Sequence, residues 1–153
     1  MDYHPALNGL TPDLLRVGDT GKGDATYSVE TPGEMTRIRM NVFYRARDAK
    51  DGYEVQVSYD EGKTFKTAQD LPGPFAGTSK YFTIADVPAG TKKALVRLAG
   101  RQRNTTCCFG LAIHADYKEP GGGFAPVKIT YLWEENGQAK QDVHGGVAYN
   151  EGQ

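Results

Sequence analysis

From Ile38 to Arg47 apolar and polar side chains alternate at almost every residue. Ile38, Met40, Val42, Tyr44 and Ala46 fall on one side of an extended chain, and Arg37, Arg39, Asn41, Phe43, Arg45 and Arg47 on the other. A helix cannot use that pattern, because a period of two scatters the apolar residues around its whole circumference. Residues 35–47 therefore read as a strand with one face on a core and one toward water.

The same period recurs along most of the chain. Residues 26–30 read as a short strand closed by Thr31-Pro32-Gly33. Residues 53–59 set Val55, Val57 and Tyr59 against Glu54, Gln56 and Ser58. With Asp51-Gly52 as the turn, this strand is expected to pair with 35–47 as a hairpin. Residues 79–85 carry Phe82 and Ile84, the stretch 87–90 turns, and 93–99 returns with Ala94, Val96 and Leu98 inward. Cys107, Phe109, Leu111, Ile113, Ala115 and Tyr117 then alternate with Cys108, Gly110, Ala112, His114 and Asp116. Residues 127–134 and 138–147 flank Asn136-Gly137, a strong type I′ hairpin signal. The first 25 residues are loop-rich, with Leu10, Leu14, Leu15 and Val17 offering one short turn of helix or a strand that docks on the core. Nineteen glycines and eight prolines supply turns, and nine tyrosines with six phenylalanines favour strands. The expected fold is all-β, a two-sheet antiparallel β-sandwich or jelly roll of about 7–9 strands. A chain of 153 residues fits one domain and can bury roughly two-thirds of its unfolded surface without a staple.

A formal charge of −1 provides no global field for nucleic acid or anionic lipid. No apolar run approaches the roughly 20 residues that span a bilayer. Neither nucleic acid nor membrane is an expected partner. Met1-Asp2-Tyr3 lacks the basic and apolar regions of a signal peptide. Cys107 and Cys108 are adjacent, too close for an unstrained disulfide. They are expected as two free thiols, one buried and one less so. Neither they nor His4, His114 and His144 have ligand spacing for zinc. No cofactor is implied, and structural calcium is not indicated.

Three features carry chemistry. Ser58-Tyr59-Asp60-Glu61-Gly62-Lys63-Thr64-Phe65 matches the Asp-box pattern, in which Ser58, Asp60, Gly62, Thr64 and Phe65 cap a hairpin. The carboxylate takes turn N–H groups, the glycine allows a positive φ and the aromatic packs beneath. Its expected role is structural. The arginine face of residues 35–47 would suit a uronate, sulfate or sialate, or else pair with Glu54 and other neighbouring acids. Finally, a two-residue turn at Asn136-Gly137 sets residue numbers summing to about 273 opposite each other. Tyr131 and Trp133 then share a face with Lys140, Asp142 and His144. Aromatic planes beside charged groups form a sugar platform. The alternatives are that Trp133 is a core residue, or that a bulge moves the polar groups to the other face.

Pro88-Ala89-Gly90-Thr91, Ala94-Leu95-Val96-Arg97-Leu98, Asn104-Thr105-Thr106-Cys107-Cys108-Phe109, Ala112-Ile113-His114-Ala115-Asp116-Tyr117 and Tyr131-Leu132-Trp133-Glu134-Glu135 carry a resemblance. With the Asp-box hairpin, they resemble the β-sandwich accessory region of large bacterial secreted proteins related to sialidases and other glycoside hydrolases. The resemblance covers roughly residues 35–144 and transfers no active-site residue. It implies an extracytoplasmic module suited to carbohydrate binding. Joined to the all-β pattern, the aromatic content, the Asp-box turn and the absence of catalytic constellations, it makes a non-catalytic carbohydrate-binding module of a secreted polysaccharide-active enzyme the expected function. The expected partners are a polysaccharide or glycan and a catalytic domain of the same parent chain. Tyr131, Trp133, Asp142, His144 and Arg39 are the expected contacts. Two other readings stay open: a sandwich that packs on a catalytic domain without binding glycan, and a small jelly-roll lyase or hydrolase using His114 or His144.

Overall fold

A computed structural model describes residues 4–17, 21–101, 106–120 and 128–145. The chain divides into two compact units, Met1–Lys118 and Glu119–Gln153. The described residues of the first contain eight strands: β1 (Ala6–Asn8), β2 (Lys22–Glu30), β3 (Met35–Ala46), β4 (Gly52–Ser58), β5 (Lys66–Pro72), β6 (Phe75–Ile84), β7 (Lys93–Arg101) and β8 (Cys107–Tyr117). They form a five-stranded sheet ordered β1-β2-β7-β4-β5 and a three-stranded sheet ordered β6-β3-β8, with antiparallel pairing throughout. The second unit contains a hairpin of β9 (Lys128–Glu135) and β10 (Gln138–Gly145).

One apolar core joins the two sheets of the first unit. Ile38, Met40, Val42, Tyr44 and Ala46 of β3 and Ile84 of β6 bury one side. Tyr53, Val55 and Val57 of β4, Leu71 of β5, and Ala94, Val96 and Leu98 of β7 bury the other. Apart from Tyr53 and Leu71, these are the inward residues that the two-residue period marks, so the all-β sandwich follows from alternation and burial together. Phe75 stacks on Tyr44 at 4.4 Å between ring centroids, with Tyr53 edge-on to Tyr44 at 6.2 Å. A smaller cluster of Leu10, Val17 and Ala25 seats the segment before β2. The Tyr53 hydroxyl donates to the Leu15 carbonyl oxygen at 3.0 Å, and the Cys108 amide donates to the Leu14 carbonyl oxygen at 2.9 Å.

The expected β3–β4 hairpin does not form. β3 pairs with β6 and β8, while β4 pairs with β5 and β7 in the opposite sheet. The connection is an arch rather than a turn within one sheet. Gly52 has φ +130, and a Cβ there would meet the Leu71 carbonyl oxygen at 2.2 Å. Thus Gly52 permits β5 to lie against the start of β4.

Strands β1 and β5 escape the alternation test: β1 is three residues long, and β5 is an edge strand whose one buried residue is Leu71. Along β8 the register shifts between Phe43 and Tyr44 of its partner, so Gly110 faces Phe43 and Cys108 faces Tyr44. The extra residue, Phe109, is exposed and tilts against Phe43 at 5.2 Å. Both Cys107 and Cys108 are consequently buried free thiols, where regular alternation would expose one of them more.

Candidate functional site

In the hairpin, Asn136 has φ 52 and Gly137 has φ 74, the double positive φ of a type I′ turn. Its right-handed twist keeps the strands paired without a bulge. Trp133 faces Lys140, Tyr131 faces Asp142, and Ile129 faces His144. One face therefore bears Ile129, Tyr131 and Trp133 across from Lys140, Asp142 and His144. Tyr131 is 53% and Trp133 46% exposed. His144 Nε2 lies 3.0 Å from Asp142 Oδ2, and the His144 ring meets Tyr131 edge-on at 5.7 Å. The Val143 amide donates to Asp142 Oδ1 at 2.9 Å, and Lys140 pairs with Glu135. The imidazole and carboxylate are thus held beside the tyrosine ring.

Exposure alone does not select this face. Leu132, on the opposite side of the hairpin, is 76% exposed, and Val143 is exposed with it. What distinguishes the Trp133 face is its mixture of aromatic planes with groups that donate and accept hydrogen bonds.

Arg39 belongs to the other unit, on β3. Its Nη2 donates to Asp116 Oδ1 at 2.8 Å, while Arg37 Nε bonds the second carboxylate oxygen. The hydrogen bond from Arg39, then that from Arg37, hold the Asp116 carboxyl below its ordinary range. Glu54, expected as a partner for this face, instead accepts from Thr67 and Gln56 in the opposite sheet. The reason is the arch, which removes β4 from the neighbourhood of β3. Arg39 is flanked across the strands by Thr83 of β6 and His114 of β8. Tyr81, opposite Asn41 on β6, is 72% exposed. Sequence reasoning passed over Tyr81, although Phe82 and Ile84 pointing inward already implied that residue 81 points outward.

The Ser58–Phe65 turn is saturated internally. Thr64 donates to Asp60 through its amide at 2.9 Å and its hydroxyl at 2.6 Å, and Ser58 Oγ donates at 2.7 Å. Ser58 Oγ also receives the Gly62 amide at 2.9 Å. Gly62 has φ +87, which a side chain would strain. The Thr64 hydroxyl and amide, then the Ser58 hydroxyl, pull the Asp60 carboxyl down to about 2. Phe65 packs against the Arg97 guanidinium at 3.5 Å. Among the described residues, no group of three or more His, Cys, Asp or Glu side chains is arranged to hold a metal ion. No helix among them is long and apolar enough to cross a membrane.

No family model and no curated protein matches the chain. A solved structure does: "Xyl-CBM35 in complex with glucuronic acid containing disaccharide". The TM-score is 0.50 at 12% identity, covering 78% of this chain and 95% of that one. The likeness is one of fold. Two antiparallel sheets closed on a shared core are common to both, and the side chains that would touch a ligand must be argued from this chain alone.

Proposed function

We propose that this chain is a non-catalytic carbohydrate-binding module of a secreted polysaccharide-active enzyme, holding its parent near polymeric substrate. The observation that carries this reading is the exposed hairpin face on which Tyr131 and Trp133 lie two residues apart beside the Asp142–His144 pair. The rings take the C–H faces of a saccharide, which are apolar enough to be driven from water onto an aromatic plane. Asp142 accepts from sugar hydroxyls, while Lys140 donates and His144 does either according to its tautomer. Likeness of fold to a module solved with a bound disaccharide supports the same reading.

Affinity electrophoresis of the full chain through gels containing soluble polysaccharides tests the assignment. Tyr131→Ala and Trp133→Ala are each expected to weaken retardation on the order of tenfold, about 1.4 kcal/mol. Unchanged retardation in both folded variants would overturn the site. The exposed Leu132 and Val143 favour a second reading, in which the hairpin packs on a neighbouring domain of the parent. In that case no polysaccharide retards the chain, and Leu132→Ser disrupts association with the parent's catalytic domain.

A further inference from the structure

The outer face of the β6-β3-β8 sheet holds ligand-recognition chemistry that its own contacts only partly satisfy. Across β3, cross-strand pairing sets Thr83 and His114 on either side of Arg39, then Tyr81 and Ala112 on either side of Asn41. These six residues line a depression of about 400 Å³. Neighbouring strands lie about 4.8 Å apart and alternate residues about 7 Å apart along a strand. Tyr81 is therefore directly across from Asn41 and diagonal to Arg39, within reach of a ligand that touches both.

Charge on this face is unbalanced. Arg37, Arg39 and Arg45 point outward, and the only carboxylate among their cross-strand partners is Asp116, which Arg37 and Arg39 share. Arg45 instead lies over the Phe109 ring at 5.6 Å and reaches the Cys107 thiol at 3.7 Å. The face therefore has more guanidinium than carboxylate. Asn41 adds an amide whose oxygen is buried without a donor, a condition that a rotated amide meeting a ligand hydroxyl would relieve. Tyr81 is the most exposed aromatic among the described residues of the sandwich unit, with its ring open to stacking.

We infer that this sheet face is a second saccharide site, specific for an acidic sugar unit. Tyr81 stacks on the pyranose ring, Arg39 donates to the carboxylate or sulfate, and His114 and Asn41 contact hydroxyls. Asp116 accepts from Arg39 through Nε and one Nη, which leaves the other Nη hydrogens for the ligand anion. A neutral sugar satisfies the tyrosine and the amide and leaves the surplus positive charge unanswered. The site is assigned from residues of the sandwich unit only, so it stands or falls independently of the hairpin face.

Isothermal titration of the full chain with tetragalacturonate, a sulfated carrageenan tetrasaccharide and cellotetraose tests it. At least one acidic ligand is expected to bind on the order of tenfold tighter than cellotetraose, with the margin shrinking at high salt. Which acidic ligand does so distinguishes carboxylate from sulfate recognition. Arg39→Gln is expected to remove that margin, and Tyr81→Ala to weaken acidic and neutral ligands alike. Trp133→Ala should leave the acidic preference intact. Melting temperatures within a few degrees of the parent chain confirm that the variants are folded. Equal affinity for acidic and neutral ligands, no measurable binding of any, or an acidic preference surviving both Arg39→Gln and Tyr81→Ala would overturn the inference.

Discussion

Replacing Tyr53 by phenylalanine removes one oxygen from the centre of the sandwich and should make stability depend on pH in a distinctive way. Tyr53 is fully buried, and its hydroxyl donates to the Leu15 carbonyl oxygen at 3.0 Å. Loss of that hydrogen bond leaves a carbonyl poorly satisfied, at a cost of about 1.5 kcal/mol near neutral pH. The same burial pushes the Tyr53 hydroxyl far above its ordinary range, with the neighbouring thiols adding to the shift. A folded-state pKa raised above the unfolded value means that the stabilisation is whole below pH 10 and declines as pH rises, because only the unfolded chain then releases the proton. The decline is about 1.4 kcal/mol per pH unit above the unfolded value. The advantage of the parent chain over Tyr53→Phe should therefore vanish at about pH 11 and reverse beyond it. Urea unfolding followed by far-ultraviolet circular dichroism at successive pH values measures this difference, and ionisations common to both chains cancel. A stability difference that stays constant from pH 8 to pH 12 would refute the reasoning, because it would mean that the hydroxyl ionises as easily folded as unfolded.

Two further outcomes follow from the turn and the thiols. Asp60→Asn should lower the melting temperature at neutral pH; because the folded carboxyl titrates near 2, its contribution is whole above pH 4 and fades as pH falls toward 2, where parent and variant should converge. Equal melting temperatures at pH 7 would show that the hydrogen bonds from Thr64 and Ser58 contribute nothing. Cys107 and Cys108 should resist a thiol-specific chromogenic reagent until denaturant is added, since both are buried and burial pushes the Cys108 thiol up to about 11; rapid reaction of either in the native chain would contradict the placement of β8.

The hairpin was legible residue by residue. Its turn chemistry is confined to Asn136-Gly137, and once both positions take positive φ every later pair is set by counting. Strands β3, β4 and β7 were legible by face but not by partner. Alternation says that Val55 and Ile38 are both inward, and it is silent on whether they lie in one sheet or face each other across the core. That silence is why Met35–Ala46 and Gly52–Ser58 look like a hairpin and are not one. It also misplaces the partners of the arginine face, giving it Glu54 in place of Asp116. Tyr81 carries a readable signal, since its neighbours Phe82 and Ile84 define the inward face, yet its value depends on Asn41 and Arg39 lying across from it.

By itself the sequence determined the strand-rich class, the inward faces of β3 and β7, and the register of β9 with β10, because each depends on a period of two or on one local turn. Tertiary structure alone decided that the arch before β4 crosses between sheets, that the β8 bulge buries both thiols, and that Asp116 is shared by Arg37 and Arg39. Those outcomes depend on contacts between residues 30 to 80 positions apart in the chain, such as Arg39 with Asp116 at a separation of 77. Long-range pairing is selected by the free energy of closing a whole core, which no local pattern encodes.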